Sequence, residues 1–133
     1  MNKLKGYIKN INSSQNLSIV EIDLNGIDIC SIVVETPETA SYLKTGNQVF
    51  VLFKETEVSI GKNVQGLISL RNQIPCKVTK IEKGKILSKI DLECKEHRIV
   101  SIITTSSVER LNLSIGDEVT AFIKSNEVSL MEI

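Results

Sequence analysis

The sequence contains an internal repeat. The matching stretches, at an offset of 70 residues, are 30–34 with 100–104, 43–49 with 113–119, and 53–59 with 123–129. The match slips only near Ile22 and Ile90, at an offset of 68, which places the length differences in presumed hairpin tips. Such a repeat indicates two copies of one structural unit. We therefore predict two domains, copy one at residues 1–66 and copy two at residues 67–133.

Each copy reads as a series of short strands. Apolar and polar residues alternate in runs that end at turn signals such as Asn25-Gly26, a strong hairpin dipeptide. The predicted strands are residues 3–11, 17–24, 27–34, 48–54 and 56–60 in copy one, and 74–82, 86–94, 98–103, 118–124 and 126–131 in copy two. Between the third and fourth strands we predict a helix, capped by Thr36 in copy one and by Ser106, with Glu109 reaching back, in copy two.

This order predicts the fold class. Five short strands with one helical segment suit an all-β protein of two tandem OB-like Greek-key five-stranded barrels, each with one short helix. The 16 basic and 16 acidic residues cancel, so no general nucleic-acid or membrane surface is expected. The sequence has neither an apolar run of about 20 residues nor the apolar core of a signal peptide. We expect a cytoplasmic protein.

Residues that could support catalysis are sparse. His97 is the only histidine and lies on a polar hairpin tip, and no nucleophile, P-loop or metalloprotease motif is present. The three cysteines, Cys30, Cys76 and Cys94, form no CxxC pair and do not cluster with histidine at zinc spacing. We predict reduced thiols, no bound metal cation and no enzymatic activity.

Copy two carries a set of donors suited to an anion. Ser69 and Arg71 precede its first strand, Thr104 and Ser107 flank a helix start, and Lys124 lies at a strand junction. A dianion held without a metal needs hydroxyl groups, backbone N–H groups and a few fixed positive charges. From spacing alone, helix capping and solvated surface charges are the more common explanation of the same residues.

These residues also carry a family resemblance. Ser69-Leu70-Arg71-Asn72-Gln73 resembles the Ser-Ala-Arg-Asn-Gln start of the molybdate-binding Mop domain, also called the TOBE-type or molbindin domain. Residues 101–104, 113–121 and 123–125 resemble later parts of the same domain. The resemblance covers nearly all of copy two and extends to copy one through the repeat. The whole chain is similar to a stand-alone protein with two Mop domains.

The resemblance implies a function and a site. It implies cytoplasmic storage or buffering of molybdate or tungstate for molybdenum homeostasis, by a homo-oligomer, most simply a trimer, with anions bound between subunits. Ser69 and Ser107 would donate hydroxyl hydrogens, with Thr104 beside them. Backbone N–H groups would come from Leu70, Arg71 and Ser125, and the ammonium group from Lys124. The alternative is an oxyanion-responsive regulatory module that acts on a transporter or regulator, and a scaffold that has lost binding is a third reading.

Copy one departs from this pattern. Val34, Pro37 and Glu55 stand where copy two has Thr104, Ser107 and Ser125, and copy one has no counterpart of residues 69–71. Two lost hydroxyl groups and an added carboxylate disfavour a dianion. We therefore predict only weaker contributions from copy one, through Ser31 and Lys54. Replacing Lys124 by glutamate should then weaken binding more than the same change at Lys54.

Overall fold

The computed structural model describes all residues from Met1 to Ile133, and its regular structure consists mainly of β-strands. The strands are β1 Asn2–Ser14, β2 Leu17–Asp23, β3 Asp28–Val33, β4 Gln48–Phe53, β5 Ser59–Gly61, β6 Asn72–Lys83, β7 Leu87–Cys94, β8 His97–Thr104, β9 Glu118–Ile123 and β10 Ser129–Glu132. One α-helix, α1, spans Thr105–Arg110, and 3-10 turns span Glu55–Glu57 and Ser125–Glu127. No helix is both long and apolar enough to cross a membrane.

The chain forms two compact units. Unit 1 contains Met1–Phe53 and Lys124–Ile133, and unit 2 contains Lys54–Ile123. Each unit has one five-stranded antiparallel sheet, in the order β10-β4-β1-β2-β3 for unit 1 and β5-β9-β6-β7-β8 for unit 2. The fifth strand of each sequence copy therefore belongs to the sheet of the other copy. The units differ in this way from the division predicted at residues 66 and 67.

The core of each unit follows from strand alternation. In β1 and in β6 every second residue from the first onward is buried, through Ile8 and Val78 respectively, and the residues between them are exposed. Because successive side chains of a strand point to opposite faces, each sheet has one buried and one solvated face. The fully buried large side chains are Ile8, Val20, Ile22, Leu24, Ile29, Val49 and Phe53 in unit 1, and Ile74, Ile90, Leu92, Ile99 and Ile123 in unit 2.

Neither sheet closes into a barrel through its backbone ladder. The edge strands, β10 and β3 in unit 1 and β5 and β8 in unit 2, do not pair with each other. In each unit a fully buried serine forms a bridge instead. Ser31 of β3 donates to the carbonyl of Val128 at 2.5 Å, and Ser101 of β8 donates to the carbonyl of Val58 at 2.6 Å. The prediction of an all-β protein with two five-stranded units is confirmed, and the two sheets are open, each bridged near its edges by a side chain.

The tight turns are confirmed. Asn25 and Gly26 have φ values of 61° and 98°, and the Leu24 N–H donates to the Ile27 carbonyl at 2.7 Å. A two-residue hairpin with two positive φ angles is the turn for which Asn-Gly is best suited. The matching turns at residues 44–47 and 114–117 each place a glycine, Gly46 and Gly116, at positive φ.

The helix predictions need two corrections. In copy two the N-cap of α1 is Thr104, not Ser106, and Glu109 lies 3.8 Å from the Lys83 ammonium group, in an ion pair. In copy one no α-helix forms. Thr39 there accepts a hydrogen bond from the Thr36 N–H at 2.9 Å and donates to the Thr36 carbonyl at 3.3 Å. These local hydrogen bonds satisfy the backbone groups within a single turn, and they compete with the hydrogen bonds that would continue the turn into an α-helix.

The cysteines also differ from expectation. Cys76 and Cys94 form a disulfide between neighbouring strands β6 and β7, with their Cα atoms 4.5 Å apart. Cys30 is buried in unit 1 and keeps its thiol. The prediction of three reduced thiols is wrong for Cys76 and Cys94, because the pairing of two strands brings together residues that are 18 positions apart in sequence.

Candidate functional site

The predicted site residues of copy two are divided between the two units. Unit 2 holds Ser69, Leu70 and Arg71 ahead of β6, and Thr104 and Ser107 at the start of α1. Lys124 and Ser125 follow β9 and belong to unit 1. The strand exchange is the cause, since the chain leaves unit 2 after Ile123.

Thr104 and Ser107 are directly connected. Thr104 has extended backbone angles, φ −66° and ψ 146°, as an N-cap residue should. Its Oγ1 accepts from the Ser107 N–H at 3.1 Å and donates to the Ser107 Oγ at 2.9 Å. The Ser107 hydroxyl hydrogen is then available to donate elsewhere. Thr104 is exposed and Ser107 half-buried, so the pair can be reached from solvent.

The segment before β6 is presented at the surface. Ser69 and Arg71 are exposed and Leu70 is half-buried, whereas Asn72, the first residue of β6, is only 2% exposed. The Gln73 side-chain amide donates to the Leu70 carbonyl at 2.7 Å and fixes the chain as it enters the strand. The buried Asn72 and this hydrogen bond hold the exposed residues in place. The Asn72-Gln73 part of the motif therefore has a structural role.

The two lysines of the repeat occupy matching positions in different units. Lys124 precedes the 3-10 turn Ser125–Glu127 in unit 1, and Lys54 precedes the turn Glu55–Glu57 in unit 2. Both lysines are exposed. The Lys124 carbonyl accepts a hydrogen bond from the Glu127 N–H at 2.9 Å, and the Lys54 carbonyl accepts one from the Glu57 N–H at 3.0 Å. Lys54, and not Lys124, therefore shares a unit with the Thr104 hydroxyl.

Ser31 has a structural hydrogen bond. Its side chain is fully buried in unit 1 and donates to the Val128 carbonyl, so its hydroxyl hydrogen is already engaged. Val34, in the place of Thr104, is 77% exposed, and Pro37 is also exposed. Unit 1 thus contains Lys124 and Ser125 together with Val34 and Pro37, the copy-one residues that replace the hydroxyl donors of copy two.

Surface pockets within the units lie elsewhere. One of about 450 Å³ in unit 2 is lined by residues such as Asn63, Cys76 and Lys77, and one of about 570 Å³ in unit 1 lies beside Thr36 and Lys44. Neither contains a predicted anion-binding residue. The structure contains no group of three or more histidine, cysteine, aspartate or glutamate residues that could hold a metal ion.

Comparison with known proteins identifies relatives of both copies. The model of the TOBE domain matches residues 68–130. Molybdenum-pterin-binding protein 1 of Clostridium pasteurianum is 43% identical over 65 residues, which cover 48% of this chain and 96% of that protein. The molybdenum import ATP-binding protein ModC of Brucella abortus is 30% identical over 115 residues, 86% of this chain. The chain spans only 30% of the length of ModC.

A solved structure matches over nearly the full length. It is that of the cytoplasmic molybdate-binding protein ModG in a form with molybdate bound. The match has a TM-score of 0.93 at 26% identity and covers 99% of this chain and 96% of the other. The likeness therefore includes both units.

Proposed function

Because this chain belongs to the TOBE-domain family of molybdate-binding proteins, we propose that it is a cytoplasmic protein that binds molybdate or tungstate and acts as a store or buffer. The observation that carries the proposal is the likeness to molybdate-bound ModG over 99% of the chain. The donor chemistry of copy two supports it, since hydroxyl groups, backbone N–H groups and a few cations suit a tetrahedral dianion. The ligand is the cargo, and no reaction is catalysed.

The finer architecture belongs to the same proposal. We regard each unit as an OB-like Greek-key barrel that is left partly open between its edge strands. The serine bridges from Ser31 and Ser101 support this description, because each links an edge strand to the segment ahead of the opposite edge. We keep the two-domain division at residues 66 and 67 as a description of the repeat.

The proposed donors on unit 2 are Ser69, Leu70, Arg71, Thr104 and Ser107. Lys124 and Ser125 remain proposed contributors from unit 1. The strand exchange changes the expected balance between the two lysines. Because Lys54 shares a unit with the hydroxyl donors of copy two, we propose that it supplies more of the positive charge beside them than Lys124 does.

The first test is ligand selectivity in calorimetry. A cage of fixed N–H and O–H groups sized for molybdate is filled poorly by the smaller sulfate ion, which leaves donors without partners. Each lost charge-assisted hydrogen bond is worth roughly 1.5–3 kcal/mol, so molybdate should bind about ten- to a hundredfold more tightly than sulfate. Tungstate, of nearly equal size, is the positive control. Sulfate affinity within about threefold of molybdate would contradict the selectivity.

The second test compares Lys54→Glu with Lys124→Glu, each in the full chain. Both lysines are exposed, so neither variant should unfold the protein, and each serves as the matched control for the other. If Lys54 completes the donors of unit 2, Lys54→Glu should weaken molybdate binding about ten- to a hundredfold or more, and Lys124→Glu less. A larger loss for Lys124→Glu would restore the expectation drawn from the sequence repeat alone.

A further inference from the structure

Two cysteines face each other across neighbouring strands of unit 2. Lys77 of β6 lies opposite Glu93 of β7, so the same antiparallel register sets Cys76 opposite Cys94 at the end of β7. Their Cα atoms are 4.5 Å apart, within the range that a disulfide spans and close to the spacing of a non-hydrogen-bonded antiparallel pair. The strand pairing itself brings the two sulfur atoms together.

The repeat shows that this sheet does not need a covalent link. In unit 1, Tyr7 lies opposite Asp23, so Gly6 and Leu24 occupy the positions of Cys76 and Cys94. A Cβ atom built on Gly6 would come within 2.7 Å of the Leu24 Cδ2, so the leucine side chain fills the space there. One copy packs this position with a leucine over a glycine, and the other packs it with two sulfur atoms. The fold accepts either solution.

The two sulfur atoms differ in access. Cys94 is fully buried, whereas Cys76 is 7% exposed. A small thiol or disulfide reagent therefore reaches Cys76 before Cys94. Cys94 can then be reached only by the sulfur of Cys76 beside it. This arrangement supplies one attacking and one resolving cysteine.

We propose that Cys76 and Cys94 form a reversible redox pair, whose oxidation by small-molecule disulfides links β6 to β7 and stabilises unit 2 alone. The Cys76 thiolate attacks one sulfur of the small-molecule disulfide, whose S–S bond breaks and releases one thiolate. The Cys94 thiolate then displaces the second thiolate from the mixed disulfide. Two protein thiols are oxidised, the reagent is reduced to two thiols, and the two cysteine protons pass to them. This inference does not depend on the proposed function.

The test uses the full chain in buffers of graded ratios of reduced to oxidised glutathione. Thiols are trapped by alkylation after rapid unfolding in acid and counted by mass spectrometry of the peptides. We expect only Cys30 to be alkylated in oxidised glutathione and all three cysteines in reduced glutathione, with full return when the buffer is reversed. Persistent alkylation of Cys76 and Cys94 in oxidised glutathione would overturn the proposal. A link that survives reduced glutathione in the native protein would overturn it too.

Thermal unfolding provides a second readout. A cross-link that closes a loop of this size should raise the unfolding midpoint of the oxidised protein by roughly 10 °C relative to the reduced protein. The control is the double variant Cys76→Gly with Cys94→Leu, which copies the packing of unit 1 and should unfold at one temperature in both buffers. Equal midpoints for the oxidised and reduced parent protein, or a redox-dependent midpoint in the control, would count against the pair as the responsive element.

Discussion

Single residue differences between the copies decide which donors each can offer. Thr104 in copy two is replaced by Val34 in copy one, and Ser107 by Pro37. Thr104 has two roles in unit 2, because its hydroxyl group caps α1 and also holds the Ser107 hydroxyl. A valine can do neither. The absence of an α-helix at residues 36–41 and the loss of hydroxyl donors in copy one therefore coincide at the same positions.

The capping role gives a prediction with a matched control. Thr104→Ala removes the N-cap acceptor of α1 and should lower the free energy of unfolding by about 1 kcal/mol. Ser106→Ala, in the same turn, changes an exposed side chain that does not cap the helix and should stay within about 0.5 kcal/mol of the parent. Urea denaturation measures both. An equal or greater loss for Ser106→Ala would restore Ser106 as the cap.

At the scale of elements, the segment after β5 anchors the end of α1. The Lys62 ammonium group donates to the carbonyls of Leu111 at 3.3 Å and Asn112 at 2.9 Å, where the helix ends, and pairs with the Asp117 carboxylate at 3.0 Å. Asp117 also accepts from the Ser114 N–H at 2.9 Å. One lysine thus links three parts of unit 2. The Ser114 N–H, followed by the Lys62 ammonium group, lowers the pKa of Asp117.

This link predicts a pH dependence. Because the pKa of Asp117 in the folded state lies below its ordinary value of 3.8, its contribution is fully present above that value and is lost as pH falls through the lowered pKa. Asp117→Asn should therefore destabilise the protein at pH 7, and the difference from the parent should shrink as the pH falls below about 4. Urea midpoints across this range measure it.

Asp28→Asn is the control for Asp117. Asp28 pairs with Lys9 at 2.9 Å, but its side chain is 63% exposed, and such pairs contribute little. Its replacement should leave the midpoint nearly unchanged at every pH. A difference between Asp117→Asn and the parent that grows toward low pH would contradict the assigned direction.

At the scale of the whole molecule, the two sequence copies depend on each other. β10 of copy two completes the sheet of unit 1, and β5 of copy one completes the sheet of unit 2. Neither copy contains a complete five-stranded sheet of its own. Both copies are thus needed to form either unit, which is consistent with a chain that carries the repeat twice.

The assembly prediction also belongs to this scale. The resemblance to Mop proteins implies anion sites between subunits, and closed symmetric oligomers are the rule for soluble homo-oligomers. Exposed apolar side chains such as Val34, Ile86 and Ile115, all more than 60% exposed, are available for burial against other copies. We expect light scattering to give three times the 14.8 kDa mass of the chain. A monomer at tens of micromolar would contradict the trimer.

The sequence by itself determined the features that depend on neighbours along the chain. The repeat, the order of the strands, the Asn25-Gly26 hairpin and the donor motif of copy two follow from local periodicity and turn chemistry. The predicted strands 56–60 and 126–131 are less accurate, because each begins in a 3-10 turn. The family resemblance followed from the same local motifs. The placement of a helix start near residue 105 was also local, although the capping residue was misassigned by two positions.

Only the tertiary structure decided which distant parts meet. The exchange of β5 and β10 depends on which sheet edge accepts a strand, and the alternating pattern of either strand fits both edges equally well. The Cys76–Cys94 pair depends on the register between β6 and β7. The two cysteines are not in a CxxC spacing, so the sequence did not predict that they pair. The same exchange places Lys54, instead of Lys124, in the unit that holds Thr104. These are non-local pairings, and their free energy comes from contacts that form only once the sheets are assembled.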